Sequence, residues 1–439
     1  MPLTIKQYLS LGAATSKEIQ AHTGLSQPTV ARRLISMGDQ IINLNIGRSP
    51  KYALTKNAFG QDDKLPLAMV DAYGNTVLAG IIRPLAHGGF FLETATGVPS
   101  VLLGVNRDGL FDDLPYFLLD LCPQGFLGRK IAEDLAKQSD FFPSDPRKWN
   151  TDHIGRFLVS NGDDLPGNFK FGQQALHRIR HKPIATSESD YPGLADSVMS
   201  GEIPGSSAGG EQPKFTTYCG TRSVHVIVKF TPRGDNEVVS RWRDILLTEY
   251  HATETLHRYN YPAAETRLID IDGRLFLESQ RFDRSGAYGR LSMVSLQFID
   301  NEFTGVGSTW PQVISALYKK GLVSWQHVYD AEMLWLFGNL INNTDMHLGN
   351  LSFAIDGDVF RLLPAYDMCS MGFAPKSGGE ITPYNYRPQL PRVIYLKEES
   401  VNYAKEIAVE FWTRISSEGR ISEDFKNFLR NENPIKFLK

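Results

Sequence analysis

Polar residues in a fixed order, set inside apolar segments, constrain this 439-residue sequence most strongly. Asp345 and Asn350 lie five residues apart, directly after the apolar helix pattern AEMLWLFGNLI, and Asp367 follows Asn350 by 17 residues. That spacing fits a loop in which the Asp orients an attacking hydroxyl and the Asn oxygen reaches a magnesium ion. Asp367 comes at the end of a short apolar strand pattern, which is typical of a second magnesium ligand. The alternative is an Asn- and Asp-rich turn that only ends the helix.

A lysine among apolar neighbours precedes this loop. The segment VHVIVKF alternates as a strand does and carries Lys229. Lysines are rarely buried without a partner, and a strand lysine of a phosphotransferase holds nucleotide phosphates while it pairs with a helix glutamate. Glu249, in the helical pattern ILLTEYHATETLHRY, is the first choice for that partner, and Glu254 is the reserve. A solvated lysine on an edge strand is the alternative.

A glycine-rich segment, GSSAGGEQPK, lies before the lysine strand and ends at Lys214. Small residues let backbone amides approach an anion closely. The segment lacks the GK[ST] ending of a Walker A loop, and taken alone it is better explained as a surface loop. Further along, His347 lies two residues after Asp345, where it can hydrogen-bond and hold the loop. Since no second His or Cys lies at ligand spacing, His347 is not predicted to bind a metal.

The segments GSSAGGEQPK, VKFTP, QRFDR, NTDMHLGN and PAYD, together with GDDLPG, resemble the HipA-like serine/threonine kinases, the toxins of bacterial toxin–antitoxin systems. The resemblance covers roughly residues 66–420. It implies an α+β, bilobal protein-kinase-like fold with an extra N-terminal α+β subdomain, working with ATP and Mg²⁺. The roles that it implies are phosphate binding for Lys229, catalytic base for Asp345 with His347 beside it, and magnesium binding for Asn350 and Asp367.

The same resemblance implies further cofactor contacts. Adenine would meet Gln280 and the backbone of Phe282, and the phosphates would meet Ser207, Gly209 and Gly210. Family members phosphorylate a serine of their own glycine-rich loop, for which Ser206 is the best match and Ser207 the rival. A phosphate there adds about −1.5 to −2 charge where ATP phosphates should lie, so it should inhibit. The protein substrate of characterised relatives is an aminoacyl-tRNA synthetase, but no residue here points to that substrate.

Residues 1–57 have a basic composition that the rest of the chain lacks. They hold seven Lys or Arg against two Asp or Glu, a formal charge of +5, whereas the whole chain carries −3. Three helical patterns and a hairpin with a basic tip predict a winged helix-turn-helix that binds double-stranded DNA. The residues predicted to meet DNA are Gln27, Thr29, Arg32 and Arg33 on the third helix and Arg48 and Lys51 on the wing.

The presence of this domain departs from the family pattern, because HipA-like toxins usually bind a separate helix-turn-helix antitoxin. Its fusion here indicates a one-protein system or a regulator of its own operator. Winged domains often read two-fold DNA sites, which favours a homodimer. A small protein-interaction module is the alternative for residues 1–57.

The predicted organisation is a DNA-binding domain at 1–57, a polar linker ending at Lys64, an α+β subdomain at 66–200 and a kinase core at 201–439. Three scattered cysteines argue against disulfides and zinc, and no signal peptide or membrane-spanning run is present, so a cytoplasmic protein is expected. Two alternatives to an active protein kinase stay open. One is a DNA-binding transcription regulator whose weakly active kinase-like body senses nucleotide, and the other is a small-molecule or lipid kinase.

Overall fold

The computed structural model describes residues 3–44, 50–162, 164–177, 182–200, 212–376 and 379–438. Several predicted site residues lie outside these ranges, namely Ser206, Ser207, Gly209 and Gly210 of the glycine-rich segment and Arg48 of the wing. Within the described ranges, no helix is both long enough and apolar enough to cross a membrane.

The N-terminal region folds into three helices and a small antiparallel sheet of order β1-β3-β2. The second helix begins with a capping box, in which Thr15 and Glu18 bond each other's backbone N–H groups. It ends at Gly24, whose φ of +69° is left-handed. The elements are α1 (Ile5–Leu9), β1 (Ala14–Thr15), α2 (Ser16–Thr23), α3 (Gln27–Ser36), β2 (Ile41–Leu44) and β3 (Lys51–Leu54).

The next region is an antiparallel sheet of order β7-β6-β5-β4-β8 with helices against it. The hairpin between its first two strands turns at Gly74-Asn75, as the sequence predicts, and Asp71 closes the turn by accepting from the N–H of Asn75 at 2.7 Å. The elements are β4 (Leu65–Val70), β5 (Thr76–Pro84), β6 (Phe90–Thr94), β7 (Leu110–Phe111), α4 (Tyr116–Leu119), α5 (Gly125–Gln138), α6 (Thr151–Asn161), β8 (Phe169–Phe171) and α7 (Gln173–His177).

A second five-stranded sheet, of order β12-β13-β11-β10-β9, begins the predicted kinase core. Its elements are β9 (Ala185–Thr186), α8 (Tyr191–Met199), β10 (Lys214–Cys219), β11 (Val224–Phe230), α9 (Glu237–Arg258), β12 (Thr266–Ile271) and β13 (Arg274–Gln280). Tyr191 of α8 is fully buried against Phe215 and Phe276 of this sheet. Residues 185–199 therefore pack with the second sheet, although the sequence suggests a boundary after residue 200.

The last lobe is mainly helical and carries one three-stranded sheet, β16-β17-β18. Trp310, Phe337, Phe411 and Trp412 lie fully buried in its core. The elements are β14 (Arg284–Ser285), β15 (Gly289–Arg290), β16 (Val294–Ser295), α10 (Leu296–Phe303), α11 (Trp310–Lys319), α12 (Trp325–Leu340), β17 (Ser352–Asp356), β18 (Val359–Leu362), α13 (Glu398–Ser417), α14 (Glu423–Glu432) and α15 (Ile435–Leu438). With the second sheet it forms two lobes of a kinase-like fold, as predicted.

The expected linker before Lys64 is packed into the body. Phe59 is 6% exposed and stacks on Phe90 with ring centroids 5.8 Å apart. Arg83 is 4% exposed and donates to the carbonyl oxygen of Asp39 and to the carboxylate of Asp63, both at 2.6 Å. A buried aromatic ring and a buried arginine therefore fasten this segment to the first large sheet.

Candidate active site

Lys229 lies in the middle of the second sheet, where β11 has β10 on one side and β13 on the other. Its Nζ donates to both carboxylate oxygens of Glu249, at 2.6 and 2.7 Å, and to Oδ1 of Asp367 at 2.5 Å. The lysine side chain is 9% exposed, so it is not a solvated lysine on an edge strand. Its helix partner is Glu249, the first choice from the sequence, and not Glu254.

Charges within this cluster shift the pKa values of its members. Burial opposes the charge of Lys229, but Asp367 and Glu249 raise its pKa. Burial would raise the pKa of Asp367, yet Lys229 and Lys214 lower it to about 2. Burial raises the pKa of Glu249 and Lys229 opposes that rise. Asp367 is therefore an anion at neutral pH, as a ligand for a cation must be.

The loop after α12 is organised by asparagine side chains. Asn343, 7% exposed, accepts from the N–H of Asp345 at 3.0 Å and donates to the carbonyl oxygen of Asp367 at 3.3 Å. Asn350 donates through Nδ2 to the carbonyl of Asp345 at 2.7 Å and to its carboxylate at 3.3 Å. Asp345, Asn350 and Asp367 are therefore held together. Asn343 was not among the predicted site residues, because its role depends on contact with a segment 24 residues away.

Two residues of the site adopt left-handed backbone conformations. Asn342 has a φ of +63° and Asp367 a φ of +54°. Most L-residues avoid this backbone conformation, and it persists where the surrounding contacts impose it. The strand before Asp367 ends at Leu362, five residues earlier than the sequence pattern suggests. The chain between them is held instead by Ala365, whose carbonyl accepts from the N–H of Ala264 at 2.8 Å.

His347 shapes the loop through its ring and its backbone. Its Nδ1 accepts from the N–H of Gly349 at 3.0 Å, and its carbonyl accepts from the buried indole of Trp310 at 2.9 Å. Nε2 lies 3.8 Å from the Asp345 carboxylate, and both side chains are about half exposed, at 61% and 47%. Asp345 thus faces solvent where a second molecule can reach it, and His347 contacts the loop through both its ring and its carbonyl.

A pocket of about 170 Å³ lies between the second sheet and Asp367. Lys229, Glu249 and Asp367 line one part of it, and Gln280 and Phe282 also line it. The predicted hinge and the charged cluster therefore face one cavity. Further lining residues that the sequence analysis did not single out for this pocket are Lys214, Thr253, Thr266 and Tyr366.

The two motifs GDDLPG and QRFDR meet at the wall of the pocket, which Pro166, Arg281 and Asp283 line. Asp283, buried, accepts from Arg281 at 3.0 Å, from Arg284 at 2.6 Å and from the N–H of Gly167 at 2.9 Å. Asp164 accepts from the same two arginines, at 3.1 and 2.9 Å. Burial would raise the pKa of Asp283, but the arginines lower it to about 2. This network fastens the loop before β8 to the segment after β13.

The oxygens left free in the cluster suit a magnesium ion. Asn350 uses its amide nitrogen on Asp345, and Asp367 uses only Oδ1 on Lys229. One amide oxygen and one carboxylate oxygen therefore have no hydrogen-bond donor among the described side chains. Magnesium binds in proteins through one or two carboxylates together with substrate phosphates and water, and this donor set fits it.

The predicted DNA contacts lie apart from this pocket, on the outer face of α3. Gln27, Arg32 and Arg33 are exposed and Thr29 is half-buried. Lys51 begins β3, where it pairs with Leu44. These five residues share one small domain, and they are not part of the cluster around Lys229.

Two regions match known family models. Residues 61–180 match the middle domain of YjjJ-like toxins, and residues 206–417 match the HipA-like C-terminal domain. Toxin YjjJ of Escherichia coli (strain K12) is 34% identical over 425 residues, which cover 95% of this chain and 93% of that protein.

The fold is also found among solved structures. A chain from the Shewanella oneidensis MR-1 complex of HipA, HipB and operator DNA matches with a TM-score of 0.53 and 16% identity, over 85% of this chain and 94% of that chain. At that identity the match speaks for the fold alone. Taken with the family models and the YjjJ relative, it means that this chain belongs to the HipA-like toxin family.

Proposed function

We propose that this protein is an ATP- and Mg²⁺-dependent serine/threonine protein kinase of the HipA type that acts in the cytoplasm. One observation carries the proposal, namely that Lys229 binds Glu249 and Asp367 together in a pocket beside Asp345. This is the arrangement that phosphoryl transfer requires, because positioning and charge stabilisation supply most of its catalysis.

Each residue of the site has a task in this proposal. Gln280 and Phe282 bind adenine, and Lys229, positioned by Glu249, holds the phosphates. Asp345 accepts the proton of a Ser or Thr hydroxyl while the hydroxyl oxygen bonds the γ-phosphorus and the bond to ADP breaks. Magnesium, when bound by Asn350 and Asp367, supplies charge neutralisation at the phosphates. Ser207, Gly209 and Gly210 contact the phosphates, and Ser206 is the proposed site of autophosphorylation.

For residues 1–57 we propose binding of double-stranded DNA, either to regulate the protein's own gene or to localise the kinase. The support is the +5 formal charge of this region and the exposure of Gln27, Arg32 and Arg33 on one helix. Helices of this kind meet base edges and phosphates in the major groove. A two-fold DNA site would call for a homodimer.

Transfer of label from γ-³²P-ATP tests the kinase proposal. Wild-type protein should label itself or a protein in a cell lysate, and Asp345→Ala should not. Asp356→Ala is the matched control, since Asp356 is an exposed aspartate on the neighbouring hairpin and should leave labelling intact. If wild type and Asp345→Ala are equally silent while both bind ATP, the nucleotide-sensing regulator replaces the kinase. Label found only on lysate metabolites would instead indicate a small-molecule kinase.

A further inference from the structure

A stretch of chain beyond the site, residues 385–394, has no regular secondary structure but is fixed against α12. Glu332 of α12 is fully buried, and its carboxylate accepts from the N–H groups of Ile394, Tyr395 and Leu396, the last two at 2.8 and 3.1 Å. Near the other end, the Tyr386 hydroxyl donates to the carbonyl of Asn339. The stretch therefore forms a rigid wall.

Two hollows lie along this wall, the first against the end of α12 and the second against α11 and Trp335 of α12, and together we call them the acceptor groove. The first, of about 670 Å³, begins at the catalytic loop and is lined by Asn342, Asn343, Thr344 and Arg387. The second, of about 420 Å³, is lined by Lys319, Trp335 and Arg392. They are neighbours, because Asn339 of the first donates to the carbonyl of Trp335 in the second at 2.8 Å. Asp345 follows Thr344 directly, so the groove leads to the proposed catalytic base.

The charge of the acceptor groove is unbalanced. Arg387, Arg392 and Lys319 are exposed, and none of them forms an ion pair with a residue that the structure describes. Arg387 instead lies over the ring of Phe437, 5.3 Å from its centre, which limits its freedom. The lining includes one carboxylate, Glu432. Three cations against one anion make this surface positive on a chain whose net charge is −3.

The remaining lining favours a polypeptide over a nucleic acid. Amide side chains such as Asn342, Asn385 and Gln389 can pair with the N–H and C=O groups of an extended peptide. A phosphate backbone offers no N–H donors for these amide oxygens.

We propose that the acceptor groove binds an acidic stretch of the substrate polypeptide and presents its Ser or Thr hydroxyl to Asp345. This inference rests on the proposed kinase function. Arg387, Arg392 and Lys319 attract the carboxylates of the substrate, and the amides hold its main chain. Complementary charge at such a surface steers the partner and selects among partners.

The test uses the full-length protein, γ-³²P-ATP and an array of peptides with one central Ser and systematically varied flanking residues. Wild type should phosphorylate peptides with Asp or Glu flanks faster than peptides with Lys flanks. Arg387→Glu combined with Arg392→Glu should raise KM for the acidic peptides roughly tenfold or more and change kcat less. The reason is that binding energy which is the same in the ground state and in the transition state affects KM when it is lost. The matched control is Lys148→Glu with Lys182→Glu, which changes the charge equally at two remote exposed lysines and should leave peptide KM at the wild-type value.

Thermal midpoints and binding of a fluorescent ATP analogue show whether the reversed variant is folded. An unchanged acidic preference and KM in that folded variant would overturn the inference while the kinase function stands. A wild type that shows no acidic preference, but binds a fluorescent RNA that the reversed variant releases, would make the groove a nucleic-acid site and overturn the inference as well. A wild type that labels neither itself nor any peptide or lysate protein would remove the kinase proposal, and this inference with it.

Discussion

Lys229 contacts two carboxylates that differ in their surroundings. Both line the pocket, but Glu249 is 3% exposed, whereas Asp367 is 33% exposed. Only Asp367 can therefore exchange the lysine for another cation without opening the fold. Glu249 acts as a positioning residue, because it keeps the ammonium group in place when Asp367 turns to a different partner.

Replacing Glu249 by Gln tests this division of roles. The substitution keeps the size of the side chain and removes its charge, so Lys229 should stay buried but lose its fixed position. We expect label transfer from ATP to fall by about a hundredfold, as misplacement of a reacting group by an ångström does. The measurement is kcat and KM for ATP. Glu254→Gln, a similar change one helical turn away, should match wild type, and equal losses in both variants would contradict the assignment.

Residues whose role follows from spacing could be found in the sequence, and residues whose role follows from packing could not. Asp345, Asn350 and Lys229 stand in patterns that chemistry explains; in the structure Asn350 bonds Asp345 and Lys229 bonds Asp367. Asn343 acts by bridging two segments that are 24 residues apart. Lys214 comes beside Lys229 through strand register. Neither relation is visible before the chain is folded.

At the scale of elements, a contact between the loop before β8 and the segment after β13 fixes how the first large sheet meets the lobes of the kinase-like fold. Asp283 is the centre of that contact, since it binds Arg281, Arg284 and the N–H of Gly167. Its pKa of about 2 in the folded protein lies below the ordinary value of 3.8. The ionised form therefore stabilises the folded state above pH 4, and this contribution is lost as the pH falls toward 2.

Asp283→Asn should lower the free energy of unfolding by at least about 2 kcal/mol at pH 7, as the shift in pKa implies. The difference in the free energy of unfolding between wild type and variant should become smaller below about pH 5, because the wild-type carboxylate then begins to bind a proton in the unfolded chain. Urea unfolding between pH 3 and pH 7 measures this. Asp356→Asn, at an exposed position, is the control, and its free energy of unfolding should stay close to that of wild type at every pH. A difference for Asp283→Asn that does not change with pH would contradict the explanation.

The third helix is the element on which the proposed DNA binding depends. Arg32→Ala with Arg33→Ala should weaken binding to duplex DNA strongly. The slope of log affinity against log salt should also fall by about one for each phosphate contact that is lost. Fluorescence anisotropy with a labelled duplex at several salt concentrations measures both effects.

Lys148→Ala with Lys182→Ala, remote from α3, is the control for that experiment. Unchanged affinity in the Arg32 and Arg33 variant would favour the alternative that residues 1–57 are a protein-interaction module.

Sequence periodicity predicted which segments form helices and strands, but it did not predict which of these elements pack against each other. The three N-terminal helices and the hairpin at Gly74-Asn75 lie where the pattern puts them. Phe59 was the one large apolar residue in a polar stretch, and only the aromatic rings that it meets show why that stretch is not a linker. Tyr191 likewise packs on strands that come later in the chain.

At the scale of the whole molecule, Arg83 joins the N-terminal domain to the rest of the protein. It reaches Asp39, directly after the third helix region, and Asp63 and Glu93 in the body. Because the arginine is buried, its loss would leave the carbonyl oxygen of Asp39 without this donor and the Asp63 carboxylate without its ion pair. Residues 1–57 and the body of the protein should therefore move as one unit in the wild type.

Arg83→Met should separate them. The variant keeps an apolar stem and loses the guanidinium, so limited trypsin digestion near Lys56 and Lys64 should become several times faster than in wild type. Electrophoresis of the fragments over time measures this. Arg107→Met, at a residue in a left-handed turn of the same region, is the control and should be cut at the wild-type rate. Equal rates for both variants would show that other contacts hold the domain.

The left-handed backbone at Asp367 has a practical consequence. Ala or a branched side chain there would strain the turn that carries the residue, whereas Asn tolerates that conformation well. Asp367→Asn is therefore the substitution of choice for removing this carboxylate while the turn keeps its shape. For the proposed kinase, such a variant would bind its protein targets without phosphorylating them, so that the bound targets can be isolated with it.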